Sequence, residues 1–421
     1  MTIIKKKRNI QKKLALASCT LLSHGATNVL AAEAEDWAID GSLLHYAEED
    51  RVIVDKFIGS LVTNVSESDK VKVDLVFDTM SGSTPSGALQ GAGSFVTITT
   101  PSGAGGFSAS SGSTAIANFD DTRLGVGIDW EHTKKRLHRI NYGSSISVEK
   151  DYTSFGLNTK YAQDTSSRIV TYSAGVAVAF DDVRRSTGGT PEPFAKYNEG
   201  QTLDNGNRVT IDTIFGVTRI LNRRTLGQLN FSSGFSDGYL TDPYKLVSRT
   251  QLIDPMDPTA GFDEINTYYE KRPSSRQRNS IYTAMAHTTR HNNVLHMSYR
   301  YYWDDWEIQS NTIDFRLKFR YDDGLFIEPH VRLYDQTAAS FYTFAIAQEE
   351  YGITGFPEYA SADYRLDETD ATTIGVNVGK TFPGHGKLRV RLEQIQWEYA
   401  NSLFDVNKAI VLQVSYKKLF E

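Results

Sequence analysis

The chain has 421 residues, a formal net charge of −6 at pH 7 and 11% aromatic residues. This length allows two ordinary domains or one large barrel, and the acidic balance disfavours nucleic-acid binding. No stretch approaches the roughly 18 consecutive apolar residues that a transmembrane helix needs.

Residues 1–34 have the layout of a Sec signal peptide. Lysines and an arginine precede a mildly apolar stretch from Leu14 to Leu30, and small residues then allow A-x-A-like cleavage after Ala34 or after Ala32. We predict cleavage after Ala34, which leaves one mature domain at 35–421. The single cysteine, Cys19, is lost with the peptide, so the mature chain has no disulfide, thiolate metal site or dithiol of its own.

Alternation of apolar and polar residues, the pattern of half-buried strands, runs through almost the whole mature chain. It predicts about sixteen strands, most of 11–15 residues, whereas soluble strands usually have about five or six and membrane-spanning strands about 9–11. The predicted strands are 37–47, 52–65, 69–80, 121–133, 137–149, 153–164, 168–181, 207–220, 225–236, 277–290, 294–304, 306–321, 325–336, 369–382, 387–400 and 408–420.

The connections alternate strictly between short turns and a second class that contains all the long loops. SESD (66–69) and YDDG (321–324) are typical short turns, and the long loops are 81–120, 182–206, 237–276 and 337–368. Outer-membrane barrels have this asymmetry, with short periplasmic turns and longer external loops. We therefore predict an all-β fold, a transmembrane antiparallel up-and-down β-barrel of about 16 strands, rather than a soluble β-sandwich.

The segment TIDFRLKFRYDDGLFIEPHVRLY (312–334) shows what the two faces of such a wall would meet. Apolar residues such as Ile313 and Phe315 alternate with charged ones such as Asp314 and Arg316. The apolar face is expected to meet lipid, with aromatic girdles near the strand ends. The aromatic residues expected in these girdles are Trp130, Phe180, Tyr301, Trp303, Tyr321, Phe326, Phe382 and Trp397.

The charged face of the same strands is then expected to line the lumen. The predicted lumen-lining residues are Arg300, Asp304, Asp314, Arg316, Lys318, Arg320, Glu328, His330, Arg332, Arg389, Arg391 and Glu393. They are either a cationic ladder that favours anions in an aqueous pore, or a cross-strand salt-bridge lattice that rigidifies the wall and fills the lumen. The sequence leaves both interpretations open.

The last strand carries a candidate assembly signal. KAIVLQVSYKKLFE ends with alternate apolar residues that include Tyr416 and Phe420, although Lys418 and Glu421 interrupt the pattern. A C-terminal aromatic of this kind resembles the signal read by the barrel-assembly machinery.

Several long stretches, among them DGSLLHYAEEDRV (40–52), KDYTSFGLN (150–158), MSYRYYWDDW (297–306) and PEYASADYRL (357–366), carry a resemblance to a known family. They resemble a proteobacterial outer-membrane-barrel family catalogued as domain of unknown function thirty-five seventy. The resemblance runs from about Asp36 to the C-terminus. It implies a barrel-like protein with no established activity and no catalytic residues to carry over. Family members are encoded near thioredoxin-like and flavin-transferase proteins, which implies a supporting role in periplasmic redox or flavin-transfer chemistry.

We therefore expect a Sec-exported protein of the bacterial outer membrane, most consistent with a channel for small polar or anionic solutes. The alternative is a closed barrel that serves as a surface scaffold or export partner for an extracytoplasmic redox or protein-modification system. No GxSxG nucleophile motif is present, and we expect no enzymatic activity, no metal and no cofactor. The expected partners are outer-membrane lipid and the barrel-assembly machinery.

Overall fold

A computed structural model describes residues 37–49, 51–89, 114–197, 199, 201–254, 256, 262–402 and 405–420. The predicted signal peptide, with Cys19 and the cleavage site, lies outside the described residues, as does most of the predicted loop 81–120. In the part of the chain that is described, no helix is long and apolar enough to cross a membrane.

The described chain is almost entirely β-structure. The strands are β1 (Trp37–Glu48), β2 (Val52–Asn64), β3 (Asp69–Leu89), β4 (Thr114–Lys135), β5 (His138–Val148), β6 (Tyr152–Asp164), β7 (Val170–Val183), β8 (Thr190–Pro191), β9 (Thr202–Leu203), β10 (Gly206–Asn222), β11 (Thr225–Gly238), β12 (Leu246–Leu252), β13 (Phe262–Tyr269), β14 (Ser275–Thr288), β15 (Val294–Asp304), β16 (Gln309–Arg320), β17 (Leu325–Gln336), β18 (Ala345–Ala347), β19 (Thr369–Phe382), β20 (Gly386–Tyr399) and β21 (Val406–Phe420). A one-turn helix, Gln348–Tyr351, and a 3₁₀ turn, Tyr364–Leu366, lie in one loop.

Sixteen of these strands form a closed antiparallel barrel, in the order β1-β2-β3-β4-β5-β6-β7-β10-β11-β14-β15-β16-β17-β19-β20-β21. The barrel closes where β21 pairs with β1, with Trp37 opposite Phe420 and Glu48 opposite Ala409. Because the barrel is closed, no strand edge in the wall is left unpaired. A sheet can span a lipid bilayer only if its backbone hydrogen bonds are satisfied in this way. The predicted fold is confirmed.

The wall presents opposite chemistry on its two faces. Ile313 and Leu333 are each 49% exposed on the outer face, whereas His330, on the other face of the same strand pair, is only 7% exposed. Some side chains on that second face reach partners two strands away, such as Arg278 Nη2 to Asp212 Oδ1 at 3.1 Å across β11. Such reach is possible on the concave side of a closed wall, so this is the inner face.

The connections divide the barrel into two ends. At the turn end, consecutive strands are joined by two to five residues, and at the loop end all four long connections occur. In bacterial barrels these ends are periplasmic and external, respectively.

Two predicted boundaries are wrong. Strands β3 and β4 continue together beyond their neighbours, with Leu89 opposite Thr114, so the predicted loop 81–120 is in part a protruding hairpin. The predicted strand 306–321 begins only at Gln309, because Trp306 and Ile308 leave the wall and pack into a buried cluster with Phe341 and Leu366.

Candidate functional site

The predicted lumen-lining residues lie on the inner face of β15, β16, β17 and β20. Those on β15 are Arg300 and Asp304; on β16, Asp314, Arg316, Lys318 and Arg320; on β17, Glu328, His330 and Arg332; and on β20, Arg389, Arg391 and Glu393. β15, β16 and β17 are adjacent, and β19 separates β17 from β20.

His330 is the centre of this surface. Its Nε2 lies 2.8 Å from Asp314 Oδ2 on β16, and its Nδ1 lies 2.8 Å from Glu393 Oε1 on β20. The reach to β20 crosses β19 at Gly375, where a Cβ would stand 2.4 Å from Glu393 Cγ. Ionised carboxylates only accept hydrogen bonds. Each ring nitrogen therefore needs a proton to donate to its own carboxylate. The side chain of His330 thus links four consecutive strands.

Most of the neighbouring basic residues are paired. Lys318 Nζ lies 3.1 Å from Glu328 Oε2, and Arg316 Nε lies 3.1 Å from Asp314 Oδ1. Two more pairs are Arg389 Nη2 with Asp40 Oδ2 at 3.3 Å and Arg391 Nη1 with Glu393 Oε2 at 3.7 Å. Within the described chain, no carboxylate lies within 4.0 Å of the cationic groups of Arg300, Arg320 or Arg332. The wall therefore combines a salt-bridge lattice with cations that remain without an acidic partner.

Asp304 has a different local role from the others. Its side chain is fully buried, receives hydrogen bonds from Arg276 and Tyr302, and accepts from the backbone N–H groups of Trp306 and Ile308 at 3.0 Å. It therefore stabilises the β15–β16 connection at the loop end and does not join the lattice around His330.

The girdle expectation holds for some aromatics and is wrong for two. Trp130, Phe180, Tyr321 and Phe382 are exposed on the outside. Phe326 is 4% exposed and lies on the inner face, with Lys318 Nζ 4.1 Å and Lys387 Nζ 4.8 Å from its ring centroid. Trp397 shares the inner face of β20 with Arg391 and Glu393.

The described parts of the long loops 184–205, 239–274 and 337–368 form one folded body, which we call the cap. β12 and β13 from the second loop and β18 from the third make a three-stranded sheet. Bridges from Lys196 to Tyr268 and from Lys271 to Ala360 join all three loops. β12 and β13 also approach β3, which is almost opposite β11 and β14 in the barrel order. The cap therefore extends across the mouth at the loop end.

Arg249 on β12 ties the cap together. It is 1% exposed, and its guanidinium donates hydrogen bonds to the backbone carbonyls of Gly352, Ile353 and Gly355. Its Cζ also lies 4.4 Å from the ring centroid of Phe356, a cation–π distance. One side chain of the second loop thus fixes a turn of the third.

A buried ionic network lies beneath the cap sheet. Arg272 Nε is 2.6 Å from Glu270 Oε1, and its Nη2 is 2.8 Å from Asp363 Oδ2. Arg365 also pairs with Asp363, and Lys245 Nζ lies 4.0 Å from that carboxyl. Burial alone would raise the pKa of Asp363, but Arg365, Lys245 and Arg272 outweigh it and hold the pKa well below its ordinary value.

Burial of the inner charges changes along the barrel. Near the loop end, Arg208 and Asp181 pair with side chains only 2% and 3% exposed. Nearer the turn end, Arg316 is 44% exposed and Arg389 37%. The lumen is therefore closely packed beneath the cap and accessible to water from the turn end.

Asp121, Glu149 and Asp151 are the described residues whose grouping would suit a metal ion. They are buried near the loop end, with candidate ligand atoms within 4.8 Å of one another. Arg123 Nε lies 3.9 Å from Glu149 Oε1, and each of the three carboxylates has further interactions within the protein. We assign no metal to them.

The sequence analysis did not identify the strands of the cap, and it missed two lysines at the turn end, Lys387 and Lys417. Period-two alternation would have placed both lysines on the inner face of β20 and β21. No comparable signal exists for the cap, because its strands are short and irregular.

Solved structures with a similar barrel include a "Bacterial polysaccharide outer membrane secretin" (8% identity, TM-score 0.45, covering 93% of this chain and 100% of that one). The P. putida toluene transporter TodX (9%, 0.42, 92% and 91%) and Pseudomonas aeruginosa OccK2 (OpdF) in complex with glucuronate (8%, 0.39, 92% and 98%) are further examples. With TM-scores below 0.5, these similarities carry no information about solute or partner. No curated protein matches the sequence.

The stretches quoted for the family resemblance lead to the same family as a comparison of the whole sequence. The model described as "Protein of unknown function (DUF3570)" matches residues 11–417, and the chain belongs to this family.

Proposed function

We propose that the protein is an outer-membrane channel for small polar solutes that prefers anions. The observation that carries the proposal is the water-accessible basic inner wall of a sixteen-strand barrel, where Arg316, Arg320 and Arg332 are exposed. Barrels of eight strands are filled by their own side chains, whereas barrels of about sixteen leave an aqueous lumen. An apolar outer face and a basic sector on the inner face of β15, β16, β17 and β20 suit conduction of anions through lipid.

The cap adds a restriction at the external mouth. It crosses the opening and has its own buried core, so solutes must pass around it or wait for it to move. The channel we propose is therefore restricted at one end and open at the other. Export by the Sec route and insertion into the outer membrane belong to this proposal, which includes no catalytic step.

The test is planar-bilayer conductance of purified, heat-modifiable protein under a salt gradient. We expect ohmic steps with a reversal potential that favours anions. A variant in which residues 242–272 are replaced by a short Gly/Ser linker should conduct more, because part of the cap is removed. Silence from both proteins, each shown to be folded, would contradict the channel.

A closed barrel is the second candidate, and the extension of the cap across the mouth favours it. In that case the protein would serve as a scaffold or export partner for a periplasmic redox or flavin-transfer system. Silence in the bilayer, together with specific co-purification of such a protein, is the outcome that this candidate predicts.

A further inference from the structure

Among the described residues, three cations at the turn end of the inner wall have no acidic partner. Lys387 on β20 is directly opposite Lys417 on β21, and Arg320 on β16 is opposite Phe326 on β17. Within the described residues, no carboxylate lies within 4.0 Å of any of these three cationic groups. Arg320 and Lys417 are exposed, so water and solutes reach them from the turn end.

The nearest carboxylates are engaged elsewhere. Glu328 accepts from Lys318 at 3.1 Å and from Asn377 at 3.2 Å. Asp40 lies opposite Lys417 in the β1–β21 register, but it pairs with Arg389 at 3.3 Å. Both carboxylates therefore already have a basic partner other than the three cations.

Phe326 holds one of the lysines in place. Its ring rests against Gly379 on β19, where a Cβ would be 2.2 Å from the ring. Lys387 Nζ lies 4.8 Å from the ring centroid. It is within electrostatic reach of Lys318, Arg389 and Arg320, and of one carboxylate, Glu328. Gly379 thus leaves space for an aromatic ring that positions a cation among other cations.

Like charges directly opposite each other on one face of a sheet destabilise the pairing. Here the Lys387–Lys417 pair lies in a sector that already contains Arg320 and Arg389. A bound anion would offset this repulsion through charge-assisted hydrogen bonds. A bound anion would therefore explain why two lysines are placed opposite each other in this wall.

We propose that this sector binds a small oxyanion with two or more negative charges, such as a di- or tricarboxylate or a phosphorylated compound. Lys387, Lys417 and Arg320 are its contacts. The site deepens the proposed function, since it names the solute class and places a binding step at the periplasmic end of the lumen.

The test uses the full mature chain, folded in detergent micelles at low ionic strength, with inorganic pyrophosphate as the probe in isothermal titration calorimetry. We expect saturable binding that weakens at high salt. The double variant Lys387→Gln/Lys417→Gln should bind at least about tenfold more weakly, since it loses two charge-assisted contacts. Lys418→Gln is the matched control, because Lys418 is the next residue on β21 and lies near Phe420, on the outer face. Its affinity should stay within about twofold of wild type.

Stability gives an independent readout of the same site. Pyrophosphate should raise the unfolding temperature of wild type and of Lys418→Gln by ligand linkage, but not that of the double variant. Without the anion, the double variant should be as stable as wild type or more so, because the opposed lysines are removed.

The inference is overturned if folded wild type shows no saturable binding, or if Lys418→Gln loses as much affinity as the double variant. Conductance of the same preparations separates this site from the channel. Binding without conductance would support the site and contradict the channel. Conductance without binding would support the channel and contradict the site.

Discussion

Arg249 is a single residue on which the order of the cap depends. Its guanidinium is buried and meets three backbone carbonyls and an aromatic ring. A planar fork of donors can satisfy several carbonyls together, whereas an ammonium is a compact point charge that cannot reproduce this geometry. The charge alone is therefore insufficient at this position.

We predict that Arg249→Lys destabilises the cap by about 1–3 kcal/mol, since it leaves buried carbonyls without donors. Chymotrypsin should then cleave the tyrosine-rich loops faster, while the barrel stays heat-modifiable. Arg223→Lys is the control, because Arg223 is exposed in the short β10–β11 turn and its replacement should leave the cleavage rate unchanged. Equal cleavage of both variants would show that Arg249 does not fix the cap.

Between elements, the buried network of Asp363 connects the second and third long loops. Arg272 comes from the segment between β13 and β14, while Asp363 and Arg365 precede β19. Removing one partner from a buried ionic network is costly, because it leaves uncompensated charge. The network therefore makes the packing of the two loops depend on the ionisation of Asp363.

The lowered pKa of Asp363 predicts a cap that loosens in acid. A carboxyl whose pKa is lowered in the folded state stabilises that state when the pH is above its unfolded-state pKa, near 3.9 for Asp. This stabilisation is lost progressively as the pH falls below that value. Burial raises the pKa of Glu270 despite Arg272, so Glu270 is protonated at a higher pH than Asp363. Its protonation removes the desolvation cost of a buried carboxylate and does not destabilise the cap. Near-ultraviolet circular dichroism of the packed tyrosines should therefore stay constant from pH 7 to about pH 4 and decline below it.

Asp363→Asn should reproduce the loosened cap at neutral pH, with a loss of about 3–5 kcal/mol. Asp322→Asn, in the exposed β16–β17 turn, is the control and should retain the wild-type spectrum. A wild-type spectrum for Asp363→Asn at pH 7 would contradict the structural role of this network.

The sixteen barrel strands were predictable because each has one face in water and one in an apolar medium. Apart from the extended β3–β4 hairpin, the predicted ends lie within three residues of the observed ones. The cap strands carry no such pattern. Val247, Ser248 and Arg249 are consecutive and all buried, because tertiary packing encloses β12 on every side. A period-two pattern cannot arise where both faces are covered.

The site was predictable as a set of residues, but the partner of each residue was not. Alternation puts Asp314, His330 and Glu393 on one face, yet only the register, with Gly375 between two of them, brings them together. The placement of Phe326 shows the converse. Phe326 lies at an even position of β17, as Glu328 and His330 do, so alternation places it on the inner face. The girdle expectation considered only that Phe326 is near a strand end.

For the whole molecule, the proposed channel gives the two ends of the lumen different tasks. The loop end is packed and covered by the cap, while the turn end has exposed cations that lack an acidic partner among the described residues. In the proposed channel, a solute approaching from the periplasm meets the basic surface before it meets the cap. Selectivity is therefore expected to arise in the barrel wall and restriction at the cap.

Charge reversal at Arg332 tests where selectivity arises. Arg332 is exposed on the inner face, so Arg332→Glu changes the local charge by two units without breaking an ion pair in the described structure. At a distance of about 10 Å in water, the charge change alters the energy of a monovalent ion by roughly 0.8 kcal/mol before screening by salt. After screening, the change is about half of that. This change disfavours an anion and favours a cation by the same amount, so the anion-to-cation permeability ratio should fall about fourfold. It is measured as a shift in reversal potential. Arg290→Glu, in the exposed β14–β15 turn, makes the same charge change outside the lumen and should shift it far less. Equal shifts would place selectivity at the mouth rather than along the wall.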